Sequence, residues 1–139
     1  MVPWSFYDYW TADGRNLIRE WYDVQDLEVQ VAFDGTLLRL RAVDDWLDRR
    51  VKEFDVLRER HAGLAELRFS VPALHPDTGK KYKRRFRPVG IWRPEMRDFI
   101  ILLGCEKTGG SYKPHGAFDL ALEYKALFEQ GSGFIHDHF

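Results

Sequence analysis

Apolar and polar positions alternate along some stretches of the chain and recur at helical spacing along others. Residues 2–10, "VPWSFYDYW", suit a strand, with Trp4, Phe6 and Asp8 on one face and Ser5, Tyr7 and Tyr9 on the other. "TADG" (11–14) reads as a turn. Leu17, Ile18, Trp21 and Tyr22 then recur at helical spacing, with Asp13 or Asn16 placed to cap the helix. Residues 27–43 fit two patterns. Leu27, Val29, Val31 and Phe33 alternate ahead of Asp34-Gly35, which predicts a hairpin. Leu27, Val31 and Leu38, with Phe33, Leu37 and Leu40, also align at the helical period, although Gly35 costs a helix about 1 kcal/mol. Locally the hairpin is slightly favoured.

The second half reads more simply. Residues 64–71 alternate, with Glu66, Arg68 and Ser70 on a polar face opposite Leu67, Phe69 and Val71. A loop follows at 72–80. Residues 81–92 form the next strand, bent at Pro88 and Gly90, and "DFIILLGC" (98–105) is a strongly apolar strand. After a Gly-rich loop, Phe118, Leu120, Leu122, Leu127 and Phe128 sit at helical spacing, and Gly131 ends that helix. The tail 132–139 is expected to fray or to lie at an edge. Successive strands joined by short loops imply an antiparallel sheet and an α+β class.

Composition supports one packed domain over residues 1–139, since 45% of residues are hydrophobic and 15% aromatic. No apolar run nears the ~20 residues of a membrane helix. The N-terminal segment lacks the basic and apolar stretches of a signal peptide, and Cys105 stands alone, so a reducing cytoplasm is the expected location. Phosphate-binding glycine loops and a nucleophile elbow are absent. The five histidines lack metal-site spacing, so no metal and no cofactor are expected. His136 and His138 alternate in the tail and offer at most a weak metal site.

Charge is unevenly distributed along the chain. The formal net charge is -1, yet residues 1–63 hold 9 Lys/Arg against 13 Asp/Glu, while residues 64–113 hold 11 against 5, a local net charge of +6. "KKYKRRFRPVGIW" (80–92) concentrates this excess. A charge run can be a solvated strand face, and Arg68 can pair with Glu66. It can also form a local footprint for a polyanion. Arg68, Arg85, Arg87, Lys107, Tyr112 and Lys113 are candidates to converge on one face, where arginine forks suit phosphate and tyrosine can stack on a base or move a proton.

Four segments carry a resemblance. "GLAELRF" (63–69), "FRPVG" (86–90), "FIILLGCEKTGGSYKP" (99–114) and "AFDLALEYKALF" (117–128) occur in the order found in the RelE/HigB-type toxin superfamily, and resemble most its phage-derived, HigB-like branch. The resemblance implies a RelE/ParE-like fold: a small antiparallel sheet with an N-terminal helical pair and a C-terminal helix packed against it. It therefore implies that residues 27–43 are helical. It implies a metal-free mRNA endoribonuclease in which the ribose 2′-OH attacks the neighbouring phosphate, and a cognate antitoxin, expected to be of helix-turn-helix type, that masks the basic surface. The substrate it implies is mRNA, often ribosome-bound.

By position, Arg68 would hold phosphate, Arg87 would stabilise the transition state and Lys107 would protonate the leaving oxygen or neutralise charge. Tyr112 would stack on a base or assist proton transfer. Arg85, Lys113, Lys83 and Arg84 would contact RNA. The chain departs from the pattern at Thr108, where a second lysine is usual, and at the pair Gly109-Gly110. Two other readings share these residues: a non-catalytic RNA-binding protein, and a module whose basic face meets an acidic protein partner.

Overall fold

The computed structural model describes residues 2–139. The first strand, β1 (Ser5–Trp10), leads into helices α1 (Leu17–Asp23) and α2 (Leu27–Arg41). Asn16 caps α1 by accepting from the Arg19 N–H, and Asp26 caps α2 by accepting from the Val29 N–H. The hairpin suggested by local alternation at 27–43 does not form. Helix α2 buries Val29, Phe33, Leu37 and Leu40 along one stripe, and that burial outweighs the modest cost of Gly35.

Short strands follow: β2 (Phe54–Val56), β3 (Ala65–Leu67), β4 (Phe69–Leu74), β5 (Lys81–Phe86), β6 (Val89–Arg93), β7 (Asp98–Leu103), β8 (Glu106–Thr108) and β9 (Ser111–Lys113). Helix α3 (Ala117–Glu129) and β10 (Phe134–Asp137) complete the chain.

This architecture overturns the small antiparallel sheet of the RelE/ParE-like expectation. Among the described residues, ten strands form two sheets and three α-helices accompany them. The six-stranded sheet has the order β10-β1-β7-β6-β3-β2, and the four-stranded sheet the order β4-β5-β8-β9. The larger sheet is mixed, because β1 runs parallel to β7 while its other pairings are antiparallel. The physical reason is that the two runs read as single strands, 64–71 and 81–92, each break, and that the stretch after the apolar strand, read as a Gly-rich loop, forms the hairpin β8–β9. Arg68 separates β3 from β4, Arg87-Pro88 separates β5 from β6, and Gly104-Cys105 separates β7 from β8.

The three breaks lie side by side and form a seam between the sheets. The Leu67 N–H donates to the Pro88 carbonyl (2.8 Å), and the Arg87 N–H to the Cys105 carbonyl (2.8 Å). The Cys105 thiol donates back to the Arg87 carbonyl at 3.0 Å. Pro88 has no N–H to offer a ladder, so a break is where it fits. Gly104 lies against α1: a Cβ there would run into the Trp21 indole.

Two apolar clusters cover the faces of the larger sheet. Phe99 and Ile101 of β7 point to the cluster holding Phe33, Leu37 and Trp46, and Ile100 and Leu102 to the one holding Ala117 and Ala121 of α3. The tail is not frayed. Strand β10 pairs with β1, and His138 is buried with its Nδ1 2.6 Å from an Asp8 oxygen, whose partner oxygen accepts from Asn16. A side chain read as a possible weak metal ligand thus closes a carboxylate network. None of the described helices is long and apolar enough to cross a membrane.

Phe86 marks where the second sheet meets the core. It is fully buried, stacks on Phe69 at 5.1 Å and meets Trp21 edge-on at 5.9 Å. Phe86→Ala is expected to lower stability by about 3–5 kcal/mol, measured by urea denaturation. A loss below about 1 kcal/mol would mean that the second sheet is not anchored there.

Candidate functional site

The four-stranded sheet sorts its side chains by cross-strand register. Ser70 of β4 faces Arg85 of β5, Arg85 faces Lys107 of β8, and Lys107 faces Tyr112 of β9. Directly opposed residues share a face, so these four form one row across the sheet. Lys83, two residues before Arg85, lies on the same face. The other face carries the neighbouring row: Phe69 opposite Phe86, Phe86 opposite Glu106, and Glu106 opposite Lys113. That face turns inward at Phe69 and Phe86, which are buried.

This alternation divides the predicted contact residues. Arg84 belongs to the second face. It forms a bidentate pair with Glu106 at 3.0 and 2.9 Å, approaches Asp26 at 3.8 Å, and lies over the Phe86 ring. The bond to Glu106 holds its guanidinium above its usual pKa. Lys113 also lies on this second face, beside Glu106. The structure therefore brings Arg85, Lys83, Lys107 and Tyr112 together and sets Arg84 and Lys113 apart from them.

Arg68 and Arg87 join the first group from the seam. A groove of about 390 Å³ is lined by Arg68, Lys83, Arg85 and Arg87, with Arg39 of α2 and Lys52 at its rim. Its size falls within the ~300–1,000 Å³ range of small-ligand sites. Glu53 is the one carboxylate in the lining. Nothing in the local sequence marks Arg39 or Lys52 as part of this group. Only the packing of α2 on β4 and the course of the loop before β2 bring them there.

The cations are not equally free. Arg68 donates to Glu66 Oε1 at 3.1 and 2.9 Å and to Asp55 at 2.9 Å, so the pairing with Glu66 left open by the sequence is formed. Glu66 is buried and its Oε2 has no hydrogen-bond partner among the described residues. Removing Arg68 would leave that carboxylate uncompensated, which makes Arg68 a structural residue as well as a candidate ligand. Among the described residues, Lys83, Arg85, Arg87 and Lys107 form no ion pair. Arg87 is half-buried and, among the described residues, its side chain donates only to the Phe86 carbonyl, at 2.9 Å. Burial lowers its pKa, the field of Glu66 opposes this, and the Arg68 and Arg85 cations add to the lowering. The guanidinium still stays charged near neutrality.

Arg85 opposite Lys107 is a like-charge cross-strand pair, an arrangement that destabilises a sheet unless an anion sits over it. Tyr112 closes the row. Burial raises its phenol above its ordinary pKa, with Glu66 adding to the effect, so it remains a proton donor at neutral pH. The arrangement can receive a phosphodiester, stabilise extra negative charge on it and donate a proton nearby.

Comparison of the chain with family models, with curated proteins and with solved structures finds no match.

Cys105 sits beneath the seam. Burial pushes its thiol up to about 12, with Glu66 contributing, so the nucleophilic thiolate is scarce at ordinary pH. Native protein at about pH 8 is expected to resist iodoacetamide, whereas the unfolded chain, with a thiol near the usual ~8.5, reacts readily. Rapid alkylation of the native state, followed by mass spectrometry, would contradict this packing of the seam.

Proposed function

We propose that the protein is a metal-free endoribonuclease, the toxin of a type II toxin–antitoxin pair acting on message in the cytoplasm. The observation that carries this reading is the like-charge pair Arg85–Lys107, with Arg87 beside it and none of the three in an ion pair among the described residues, next to a groove of phosphodiester scale. The order of the motifs at 63–69, 86–90, 99–114 and 117–128 also supports it, although the small sheet that the same resemblance implies is not the one observed.

In this reading a single-stranded RNA lies along the seam with one phosphate against Arg87 and Arg85. The ribose 2′-OH attacks the adjacent phosphorus and its proton passes to water. The P–O5′ bond breaks, and the departing oxygen takes a proton from Tyr112 or Lys107. The products are a 2′,3′-cyclic phosphate and a 5′-OH. Arg87 offsets the charge that builds on the phosphoryl oxygens, an effect worth about 10²–10³ in rate for one well-placed donor. A helix-turn-helix antitoxin with an acidic segment would cover the same groove.

A second reading, RNA binding without cleavage, is favoured by one observation: Glu66 and Asp55 already engage Arg68. One experiment separates the two. Purified protein is incubated with single-stranded RNA in EDTA, and the product ends are analysed. Cyclic phosphate and 5′-OH ends are expected, with Arg87→Ala slower by about 10²–10³-fold. Salt-dependent binding with intact RNA would select the second reading. Expression of the wild type is expected to arrest growth and that of Arg87→Ala to leave it unaffected. Equal harmlessness of both would remove the toxin assignment.

A further inference from the structure

Beyond Tyr112, away from the basic groove, lies a second cavity of about 270 Å³, lined by His61, His115, Phe118 and Asp119 together with Tyr112 itself. Its walls are aromatic. Tyr112 and Phe118 lie 4.4 Å apart between centroids, tilted by 42°, and His61 meets Phe118 edge-on at 5.3 Å. Phe118 is the second residue of α3, and His61 comes from a single 3-10 turn, Glu59–His61, so the cavity is held between two separate parts of the chain. The size falls just short of the ~300 Å³ at which small-molecule sites begin, which suits one planar ring system rather than a whole nucleotide.

Asp119 lines the cavity together with the polar side chains of His61, His115 and Ser111. Asp119 Oδ1 is engaged by Arg60 at 2.6 Å and by His61 Nε2 at 2.9 Å, which fixes the carboxylate in place. The bonds from His61 and Arg60 hold its pKa below the usual carboxylate range, so it is an acceptor only. Its second oxygen, Oδ2, makes no hydrogen bond among the described residues.

The cavity and the cationic groove are joined by Tyr112. Tyr112 is opposite Lys107, and Lys107 is opposite Arg85, so two strand spacings, roughly 10 Å, separate the ring's strand from the arginine's. A polyanion laid across Arg85 and Lys107 therefore delivers its next side group to the Tyr112 wall. In a single-stranded nucleic acid that side group is a base.

We propose that this cavity is a base-recognition pocket and that it selects guanine. The assignment rests on the RNA-binding reading given above. The rings of Tyr112 and Phe118 supply a stacking surface that any base can use. Asp119 supplies the choice. Guanine presents two adjacent donors, N1–H and the N2 amine, to a carboxylate that can only accept, whereas adenine presents an acceptor, N1, beside its one amine.

The test uses the full chain and fluorescein-labelled, 2′-O-methyl pentamers: U-U-G-U-U, U-U-A-U-U, U-U-U-U-U and one with an abasic centre. Anisotropy is measured at low and high salt. The wild type is expected to bind the guanine pentamer about tenfold more tightly than the adenine one, and the adenine one about tenfold more tightly than the abasic one. Asp119→Asn, a change at an exposed side chain, is expected to abolish the guanine-over-adenine ratio. Phe118→Ala is expected to abolish the adenine-over-abasic ratio, with circular dichroism confirming that this variant is folded. Salt-dependent binding of all four pentamers with equal affinity would overturn the base pocket and leave the RNA reading standing, as would a guanine ratio that survives Asp119→Asn. No binding of any pentamer at low salt would overturn both.

Discussion

Three strands of this protein cross from one sheet to another at the same level, and the exchange of hydrogen bonds at that crossing sets where everything else can go. The Leu67–Pro88 and Arg87–Cys105 backbone bonds hold the breaks in register. Trp21 closes on Gly104 from one side, and Phe86 and Phe69 stack beneath. Because each strand changes sheet within one or two residues, side chains at the breaks do not follow the alternation of either sheet. Arg68 and Arg87 occupy two of these breaks and lean over the same groove. A straight strand through either position would have placed the arginine by simple alternation, in line with one sheet or the other.

The seam also explains why so much positive charge is tolerated. Across the four-stranded sheet, charge is divided by face. On the face shared with the core, Arg84 is neutralised by Glu106 and half covered by Phe86. On the other face Arg85 opposes Lys107, and neither forms an ion pair among the described residues. A stretch that looks uniformly basic is therefore two populations, one spent on internal pairing and one left facing solvent beside Arg87. Surface charge placed only for solubility does not require a like-charge pair in direct register, with a half-buried third cation next to it.

Much of the local structure was legible. The faces of β1, the caps of α1, the apolar strand β7 and helix α3 follow from spacing alone. Residues 27–43 were ambiguous because Leu27 and Val31, two of the residues that supply the alternation, remain exposed on α2 and contribute nothing to its buried stripe. The seam was legible only as a hint, the bend expected at Pro88 and Gly90. Gly90 indeed sits at a register irregularity, where a Cβ would meet the Ile100 carbonyl, but Arg68 carries no breaker signal, and Gly104 reads as the start of the following loop rather than as a crossing. Their strands divide because neighbouring strands divide, a non-local cause. The same holds for the site. Arg68, Arg85, Arg87, Lys107 and Tyr112 were recognisable by residue type, but separating them from Arg84 and Lys113 needs the register, and adding Arg39, Lys52 and the Asp119 pocket needs the packing.

The proposed function requires the seam face, not the Arg84 face, to receive a phosphodiester. The most direct measurement is a crystal structure of the protein with a short 2′-O-methyl RNA, in which the blocked hydroxyl prevents cleavage. A phosphate is expected within hydrogen-bond distance of Arg87 and Arg85, near Lys107, with Arg84 still paired to Glu106. A phosphate bound at Arg84 and Lys113, or RNA held elsewhere with the seam groove empty, would contradict it.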